Sequence, residues 1–339
     1  MSQGLNIPIA VDAMGGDFAP SVVVEGALEA LNESRGQFPI VLVGRKDAIE
    51  SELARHPAPP AGTCTIVHAS EVIDMHDTPT AALKSKRDSS IAVGLSLHRD
   101  GKASAFVSAG NTGAVLSAST LILGRIAGVG RPTIGALVPT ISGQALLVDA
   151  GTNVDSRPRH LLEFAVMGSI YASTMLRKPN PSVGLLNIGE EDSKGNEVVQ
   201  EAHALLKASK LNFRGNVEGR DILRGAADVV VCDGFVGNVL LKFGESIPAF
   251  FKAKFTAYAS RSVTGKLVGL LARSGLRAVM KELDYQELGG VPLLGVNGVS
   301  IIGHGGSTPK AIKNMILRAE EMVARNVNGA IRDEIAHYS

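Results

Sequence analysis

Residues 229–242 read VVVCDGFVGNVLLK, an apolar run that stops in a glycine-rich turn and leads into a helical pattern. An uninterrupted run such as Val229-Val230-Val231 is typical of a strand that is buried on both faces of a sheet. The same order of strand, turn and helix returns along most of the chain, and helices between parallel strands require right-handed crossovers. The sequence therefore predicts an α/β protein, a three-layer α/β/α sandwich around a largely parallel, Rossmann-like sheet.

The same periodicities predict the other strands and helices. Strands are predicted at residues 8–13, 39–44, 64–69, 103–109, 134–138, 145–149, 183–188, 228–233 and 299–303. Helices are predicted at residues 22–31, 90–98, 112–125, 160–175, 198–208 and 309–335. No repeat, low-complexity segment or Pro/Ser-rich linker divides residues 1–339, so we expect a single large domain.

Composition excludes several classes of protein. The two cysteines are too few for a disulfide framework or a zinc site, and Cys232 lies in an apolar run where a buried thiol is expected. No uncharged apolar run reaches the roughly 18 residues that a membrane-spanning helix needs, and the N-terminus lacks the pattern of a signal peptide. The net charge is only +1. We therefore expect a cytoplasmic protein that binds no nucleic acid and holds no metal.

The loop after the strand predicted at 103–109 has the composition of an anion site. Ligands of parallel sheets bind outside the carboxyl ends of the strands, where loops and helix N-termini present backbone N–H groups. In the sequence SAGNTGAV, Gly110 and Gly113 leave room for a phosphate, and Asn111 and Thr112 can cap the next helix and donate hydrogen bonds. A structural turn is the alternative, because glycine-rich turns are common in such folds.

The pattern of strand, glycine loop and helix recurs at residues 301–312, IIGHGGSTPKAI. His304 and Gly305 lie in this loop, where an imidazole can donate to an anion or exchange a proton. Two such loops predict a phosphate-sized site better than one does. Neither SAGNTGAV nor DAMGGDFAP has the G-x-G-x-x-G spacing of a dinucleotide fold, and no Walker lysine motif occurs. We therefore expect no nucleotide cofactor.

Two loops of mixed charge carry further candidates. In DAMGGDFAP, Gly15 and Gly16 permit a close approach to the backbone, and Asp12 can fix neighbouring loops or a basic side chain. In GEEDSKGNE, Lys194 is either a surface lysine or a positive charge for an anionic substrate. The residues of these segments leave both interpretations open.

The loop that follows the strand at 228–233 adds polar groups at the same predicted edge. Asp233 and Gly237 come directly after the buried run, and Asn238 follows them. The Asn238 side chain either caps the next helix or has a functional role.

The segment 246–281 contains no aspartate or glutamate, although basic residues recur through it. Apolar residues at helical spacing from 263 to 283 predict two amphipathic helices with basic shoulders and a break at Ser274-Gly275. We call residues 246–283 the basic hairpin. One alternative buries it in a dimer or against the core, and the other presents it to an acidic protein or an anionic membrane.

Taken together, these motifs resemble one known family. The stretches VDAMGGDFAP, DTPTAALKSKRDSSIAVGL, SAGNTGAVL, LLNIGEEDSKGNE, NFRGNVEGRDI, DVVVCDGFVGNVLLK and GGVPLLGVNGVSIIGHGGS occur in order across nearly the whole chain. They are similar to the phosphate acyltransferases, the acyl-carrier-protein:phosphate transacylases of the PlsX family. Small departures are GTN at residues 151–153, where G-A-N is expected, and Arg87, where lysine is commoner.

The resemblance implies a fold related to phosphotransacetylases and to isocitrate and isopropylmalate dehydrogenases. It implies an enzyme that transfers a fatty acyl group from acyl carrier protein to inorganic phosphate, giving an acyl phosphate for phospholipid synthesis. No cofactor is expected. The enzyme is expected to be a homodimer that associates peripherally with the membrane, where a glycerol-3-phosphate acyltransferase takes up the product. A phosphotransacetylase-like enzyme that uses acyl-CoA is the main alternative, and a nicotinamide-dependent dehydrogenase and a non-enzymatic adaptor are two others.

The resemblance points to Lys194 and Asn238 as catalytic residues. Together with the loop composition, it gives a set expected to bind substrate or phosphate: Asp12, Gly15, Gly16, Gly110, Asn111, Thr112, Gly113, Asp233, Gly237, His304 and Gly305. A second set in the basic hairpin is expected to contact the carrier protein or the membrane: Lys254, Arg261, Lys266, Leu267, Leu270, Leu271, Arg273 and Arg277.

Overall fold

Eleven strands form one sheet in residues 7–282 and 289–338, the part of the chain that the computed structural model describes. The strands are β1 (Ile9–Asp12), β2 (Ile40–Gly44), β3 (Cys64–His68), β4 (Ala105–Ser108), β5 (Thr133–Thr140), β6 (Gly143–Val148), β7 (Val183–Asn187), β8 (Phe213–Glu218), β9 (Val229–Val231), β10 (Val291–Leu294) and β11 (Val299–Ile302). Their order across the sheet is β3-β2-β1-β4-β11-β10-β5-β6-β9-β7-β8.

Helices cover both faces of this sheet. They are α1 (Ser21–Glu33), α2 (Lys46–Leu53), α3 (Pro79–Ser85), α4 (Ser90–Arg99), α5 (Thr112–Ile122), α6 (Pro158–Met175), α7 (Glu197–Ala208), α8 (Gly219–Ile222), α9 (Gly234–Ala259), α10 (Val263–Glu282), α11 (Pro309–Ala324) and α12 (Val327–Ile335). Successive residues of β1 alternate between two core clusters, because strand side chains point to opposite faces. Ile9 and Val11 belong to the same core cluster as side chains of α1, α6 and α11, whereas Ala10 belongs to the cluster that contains side chains of α4 and α5. The predicted three-layer α/β/α sandwich is confirmed.

The largely parallel sheet that the sequence predicts is also confirmed, with a reversal at its centre. β10 is antiparallel to both β11 and β5, and β5 is antiparallel to β6. The strands β1, β4 and β11 therefore run opposite to β6, β9 and β7. Their carboxyl ends lie at opposite edges of the sheet, so the glycine-rich loops divide into two groups.

Two of the strands, β10 and β8, were not predicted from the sequence. β10 is a run of four residues with a proline at its second position, Pro292, and proline within a short run argues against a strand. β8 reads FRGNVE, has polar residues on much of its length and pairs with a single neighbour, β7, at the end of the sheet. Neither strand has the continuous apolar run by which the other strands were recognised.

Two breaks between helices differ from prediction. The predicted helix at 309–335 is two helices, because Asn326 between α11 and α12 has a left-handed φ of 50°. The break predicted at Ser274-Gly275 is wrong: α10 runs through it, and the chain turns at residues 260–262 instead. A serine and a glycine inside a helix together cost only about 1–2 kcal/mol, too little to end this helix of 20 residues. Leu283 at the end of the basic hairpin lies outside the described residues.

Candidate active site

The loops after β1, β4 and β11 form one group, the β1/β4/β11 cluster, which is built around Asp12. The Asp12 carboxylate is 1% exposed and accepts hydrogen bonds from Met14 N at 3.1 Å and Ser108 Oγ at 2.7 Å. Ser108 Oγ in turn accepts a hydrogen bond from Gly110 N at 3.0 Å. The Asp12 side chain therefore joins the loops after β1 and β4 from inside the protein.

Asp12 should make stability depend on pH. Burial raises the pKa of Asp12 above its ordinary value of 3.8, although the hydrogen bonds that it accepts act in the opposite direction. The folded protein then binds this proton more tightly than the unfolded chain, so the Asp12 carboxyl lowers the free energy of unfolding as the pH rises above the unfolded pKa. We expect Asp12→Asn to remove this dependence. The free energy of unfolding of the variant should therefore rise relative to that of the wild type as the pH increases from about 4 to about 7. Urea unfolding at both pH values measures the difference, and a difference independent of pH would contradict the prediction.

Gly15 and Gly16 let the loops of the protein approach one another. A Cβ on Gly15 would lie 2.5 Å from Asp12 Oδ2 and 2.8 Å from Gly110 N. Gly16 has a φ of +105°, and its Cβ would lie 3.1 Å from the carbonyl oxygen of Gly305. The close approach that the sequence predicted is thus made, at both glycines, by neighbouring backbone.

The Asn111 side chain is engaged by the protein at both ends. Its Oδ1 caps α5 by accepting from Ala114 N at 3.1 Å, and its Nδ2 donates to three carbonyl oxygens in the loop 74–77 at 3.1, 3.2 and 3.1 Å. The first N–H groups of a helix point outward along its axis. At this loop, Thr112 and Gly113 occupy the first turn of α5, so an anion there would meet backbone N–H groups more readily than the Asn111 amide.

The loop after β11 contacts the loop after β1. Asp17 N donates to Gly305 O at 2.8 Å, and a Cβ on Gly305 would lie 2.9 Å from Asp17 Oδ1. His304 is exposed, and its Nδ1 accepts a hydrogen bond from Gly306 N at 3.1 Å. The β1/β4/β11 cluster therefore unites nine residues selected from the sequence: Asp12, Gly15, Gly16, Gly110, Asn111, Thr112, Gly113, His304 and Gly305.

The loops after β6 and β9 form a second group, the β6/β9 cluster, around a residue that sequence analysis missed. Asp149 is fully buried, and its carboxylate accepts hydrogen bonds from the backbone N–H groups of residues 151–153 at 3.1, 3.0 and 2.7 Å. It also accepts one from Asn153 Nδ2 at 2.8 Å. The signal for Asp149 was available, because it is an acid between a buried strand and a glycine, as Asp12 and Asp233 are.

The start of α9 is hydrogen-bonded to the loop after β6. Asp233 caps α9 by accepting from Val236 N at 2.9 Å, and Gly234 N donates to Asn153 O at 2.8 Å. Asp233, which was expected to bind substrate, therefore caps α9 in the structure.

The next turn of α9 lies still closer to the loop after β6. A Cβ on Gly237 would lie 1.8 Å from the carbonyl oxygen of Asp149, so only glycine fits this position. The exposed Asn238 borders Gly151, whose Cβ would lie 3.2 Å from Asn238 Cβ. Gly237 thus determines how near Asn238 comes to residues 151–153.

Lys194 belongs to the loop between β7 and α7, which amide side chains hold in place. Asn187 Nδ2 donates to Lys194 O at 3.0 Å, and Gln200 Nε2 donates to Gly195 O at 3.0 Å. The side chain of Lys194 is exposed. The loop therefore presents an ammonium group to solvent from a fixed backbone.

Lys194 and Asn238 flank the start of α9 on different sides. A cavity of about 320 Å³ lies between the Lys194 loop and α9, with Val236 and Leu240 in its wall. Because successive helical residues are rotated by about 100°, Asn238 faces away from Val236 and Leu240, towards Gly151. The two residues expected to be catalytic thus do not share this cavity, and any substrate that contacts both must lie across the start of α9.

The thiol of Cys232 lies beneath this site. Cys232 is 4% exposed, and burial raises its pKa well above the ordinary value, with the carboxylates of Asp149 and Asp233 acting in the same direction. A thiol that is held neutral is a poor nucleophile. The buried thiol that the sequence predicts is confirmed.

Both apolar and basic side chains of the basic hairpin are exposed to solvent. Leu267, Leu270 and Leu271 are 58%, 67% and 73% exposed. Four of the cations selected from the sequence, Lys254, Arg261, Lys266 and Arg273, are exposed, and the Arg277 side chain lies outside the described part of the structure. Lys254 Nζ lies 5.5 Å from the centre of the Phe250 ring.

Residues 7–282 and 289–338 contain no group of three or more His, Cys, Asp or Glu side chains that could hold a metal ion. Among their helices, none has both the length and the apolar character that crossing a bilayer requires.

The chain is similar to known proteins over nearly its whole length. Residues 7–330 match the family described as "Fatty acid synthesis protein". The "Phosphate acyltransferase" of Heliobacterium modesticaldum is 52% identical over 327 residues, which cover 96% of this chain and 97% of that protein. The "Phosphate acyltransferase" of Chlorobaculum parvum is 49% identical over 334 residues, covering 96% of this chain and 98% of that one.

Solved structures of lower identity share the fold. A phosphotransacetylase from Streptococcus pyogenes has a TM-score of 0.63 at 17% identity and covers 95% of each chain. A branched-chain phosphotransacylase from Enterococcus faecalis V583 has a TM-score of 0.58 at 16% identity, covering 93% of this chain and 99% of that one. The predicted relation to the phosphotransacetylase fold is confirmed. With the family match and the two relatives above, it leads to one conclusion: the chain belongs to the phosphate acyltransferase family.

Proposed function

We propose that this protein transfers a fatty acyl group from acyl carrier protein to inorganic phosphate and releases an acyl phosphate for phospholipid synthesis. The observation that carries the proposal is the 52% identity to the phosphate acyltransferase of Heliobacterium modesticaldum over 96% of this chain. The fold shared with a phosphotransacetylase is compatible with chemistry of the same class.

The reaction exchanges one bond at the carbonyl carbon for another. An oxygen of phosphate attacks the thioester carbonyl and forms the new C–O bond, and collapse of the tetrahedral intermediate breaks the C–S bond. The carrier protein leaves as a thiolate, which takes up a proton. Phosphate is already anionic and a thiolate leaves readily, so no nucleophilic side chain is needed. The buried, neutral thiol of Cys232 agrees with this direct route.

In this mechanism the side chains supply charge and orientation. The backbone N–H groups of Thr112 and Gly113, at the N-terminus of α5, and the loop of His304 form a second candidate anion site, at the edge of the sheet opposite the start of α9. The ammonium group of Lys194 offsets the charge of the two anionic partners, and the Asn238 amide orients phosphate or stabilises the oxyanion. The exposure of Lys194 and Asn238 supports these roles, because substrate can reach both side chains.

We further propose that the protein is a cytoplasmic homodimer that associates peripherally with anionic membrane. Its basic hairpin contacts the acidic carrier protein or the membrane, where a glycerol-3-phosphate acyltransferase takes up the product. Exposed apolar side chains next to cations support this surface, since large exposed apolar patches mark interaction sites. Phe243 on α9 and Leu271 on α10 are 67% and 73% exposed.

The reaction itself is tested with the purified protein, a long-chain acyl carrier protein and inorganic phosphate. We expect acyl phosphate and free carrier protein to form at equal rates, and neither to form without phosphate. Acyl-CoA in a parallel reaction tests the alternative donor. Turnover with acyl-CoA alone would favour the phosphotransacetylase-like enzyme, and no turnover with either donor would refute the proposal.

Binding of the hairpin to membrane is tested with Leu271→Asp. Burying a leucine side chain contributes roughly 1.5–3 kcal/mol, so losing it should weaken binding to anionic vesicles by roughly tenfold or more. Vesicle sedimentation measures the effect, and added salt should weaken binding of the wild type as well. Leu121→Asp is a matched control, because Leu121 on α5 is also 73% exposed but lies outside the hairpin. If Leu271→Asp and Leu121→Asp weakened vesicle binding equally, the basic hairpin would not be the membrane contact.

A further inference from the structure

The cavity of about 320 Å³ beside α9 lies at the carboxyl end of β7 and has aliphatic walls from both faces of the sheet. Leu161 of α6 and Val199 of α7 come from one face, and Leu240 of α9 comes from the other. Ile188, which also lines it, is 83% exposed, so the apolar lining continues to the surface. Ligand pockets are typically lined in this way, by apolar side chains with a few polar groups.

The polar groups of this cavity come from the loops already described. Gly195 and Asn196, which follow Lys194, line it together with Asp233 at the start of α9. Asn196 and Asp233 are held in place by capping their helices, with N–H contacts of 3.0 and 2.9 Å. A cavity with aliphatic walls beside these loops fits a molecule with a hydrocarbon tail and a polar, reactive end.

We propose that this cavity binds the acyl chain of the thioester and thereby sets the preference for chain length. The inference rests on the proposed function, in which the acyl chain is the hydrocarbon part of the donor. Each methylene that enters the cavity should raise kcat/KM about fourfold, the factor that corresponds to about 0.8 kcal/mol per buried CH₂. At about 320 Å³ the cavity is at the small end of ligand pockets, so the gain should stop once the first part of a long chain fills it.

The test compares kcat/KM for acyl carrier proteins whose chains lengthen by two carbons at a time. Leu240→Trp fills the cavity from α9, and we expect its plateau to come at least two methylenes earlier than that of the wild type. The ratio of long-chain to short-chain kcat/KM should then fall roughly 15-fold or more. Leu240→Ala enlarges the cavity and should move the plateau to longer chains.

Val239→Trp is the matched control, because Val239 is the adjacent residue of α9 and is 56% exposed. It should keep the chain-length profile of the wild type. An unchanged chain-length profile in both Leu240 variants would overturn the assignment. An equal decrease of kcat/KM for acyl chains of every length would overturn it too, since the cavity would then hold a part common to every donor. Absence of turnover in the wild type with every donor would instead refute the proposed function, so the two failures are distinguishable.

Discussion

Replacing Asn238 by alanine should lower kcat for acyl phosphate formation by roughly 10²–10³, the effect of removing one donor to a developing oxyanion. The amide is exposed beside residues 151–153, and the close contact at Gly237 fixes the helix turn that carries it. Lys194→Ala should have an effect of the same order, because its ammonium group offsets charge in the transition state. Steady-state rates at saturating phosphate and acyl carrier protein measure both.

Two variants separate a catalytic role from damage to the fold. Asn238→Asp preserves the size of the side chain but loses the N–H donors, so its rate should be as low as that of the alanine variant. Lys207→Ala removes another exposed lysine, which pairs with Asp192 at 2.7 Å, and should retain the wild-type rate. Near-wild-type turnover of a folded Asn238→Ala protein would remove Asn238 from the mechanism.

Replacing Gly237 by alanine should lower the free energy of unfolding by more than about 3 kcal/mol. The added Cβ would lie 1.8 Å from the carbonyl oxygen of Asp149 and 3.0 Å from Cys232 Sγ. The oxygen belongs to backbone that Asp149 itself holds with several hydrogen bonds, so it cannot move aside without breaking them. The higher helix propensity of alanine returns only about 1 kcal/mol. Urea unfolding followed by circular dichroism measures the change.

Gly244→Ala is the control for this prediction, because Gly244 lies in the same helix with nothing within 4 Å of its added Cβ. It should raise the free energy of unfolding by about 0.5–1 kcal/mol through helix propensity alone. If both glycine variants had the same stability, the contact between α9 and the loop after β6 would not be as close as described.

The elements that the sequence predicted well are those with a local signal. The run Val229-Val230-Val231 and the glycines after it identify a buried strand and its turn without reference to any partner. Gly15 and Gly16 likewise marked a close approach, although the sequence could not say that the neighbouring group is the loop at Gly110 or Gly305. The features that were missed depend on distant residues. Pro292 lies in a strand because it pairs with Ile301 of β11, and the residues after it pair with β5.

The candidate site was predicted as a set of residues, not as an arrangement. Lys194 and Asn238 were selected by motif, but the side of α9 that each occupies depends on how that helix packs at Gly237. Asp149 lacked a motif of its own, since its role comes from hydrogen bonds that form only when the loop folds back on it. The sequence shows which functional groups such positions carry. Which groups lie next to them in space depends on the tertiary contacts.

The central position of β10 and β11 has a consequence for synthesis of the chain on the ribosome. β4 pairs with β11, and β5 pairs with β10, so two strands near the C-terminus join a sheet of four strands to a sheet of five. Until residues 291–302 have left the exit tunnel, β4 and β5 each have an unpaired edge. Unpaired strand edges bind other chains, and pairings distant in sequence form slowly. The nascent protein is therefore most exposed to aggregation just before its last two strands emerge, and chaperones that bind it should act on that intermediate.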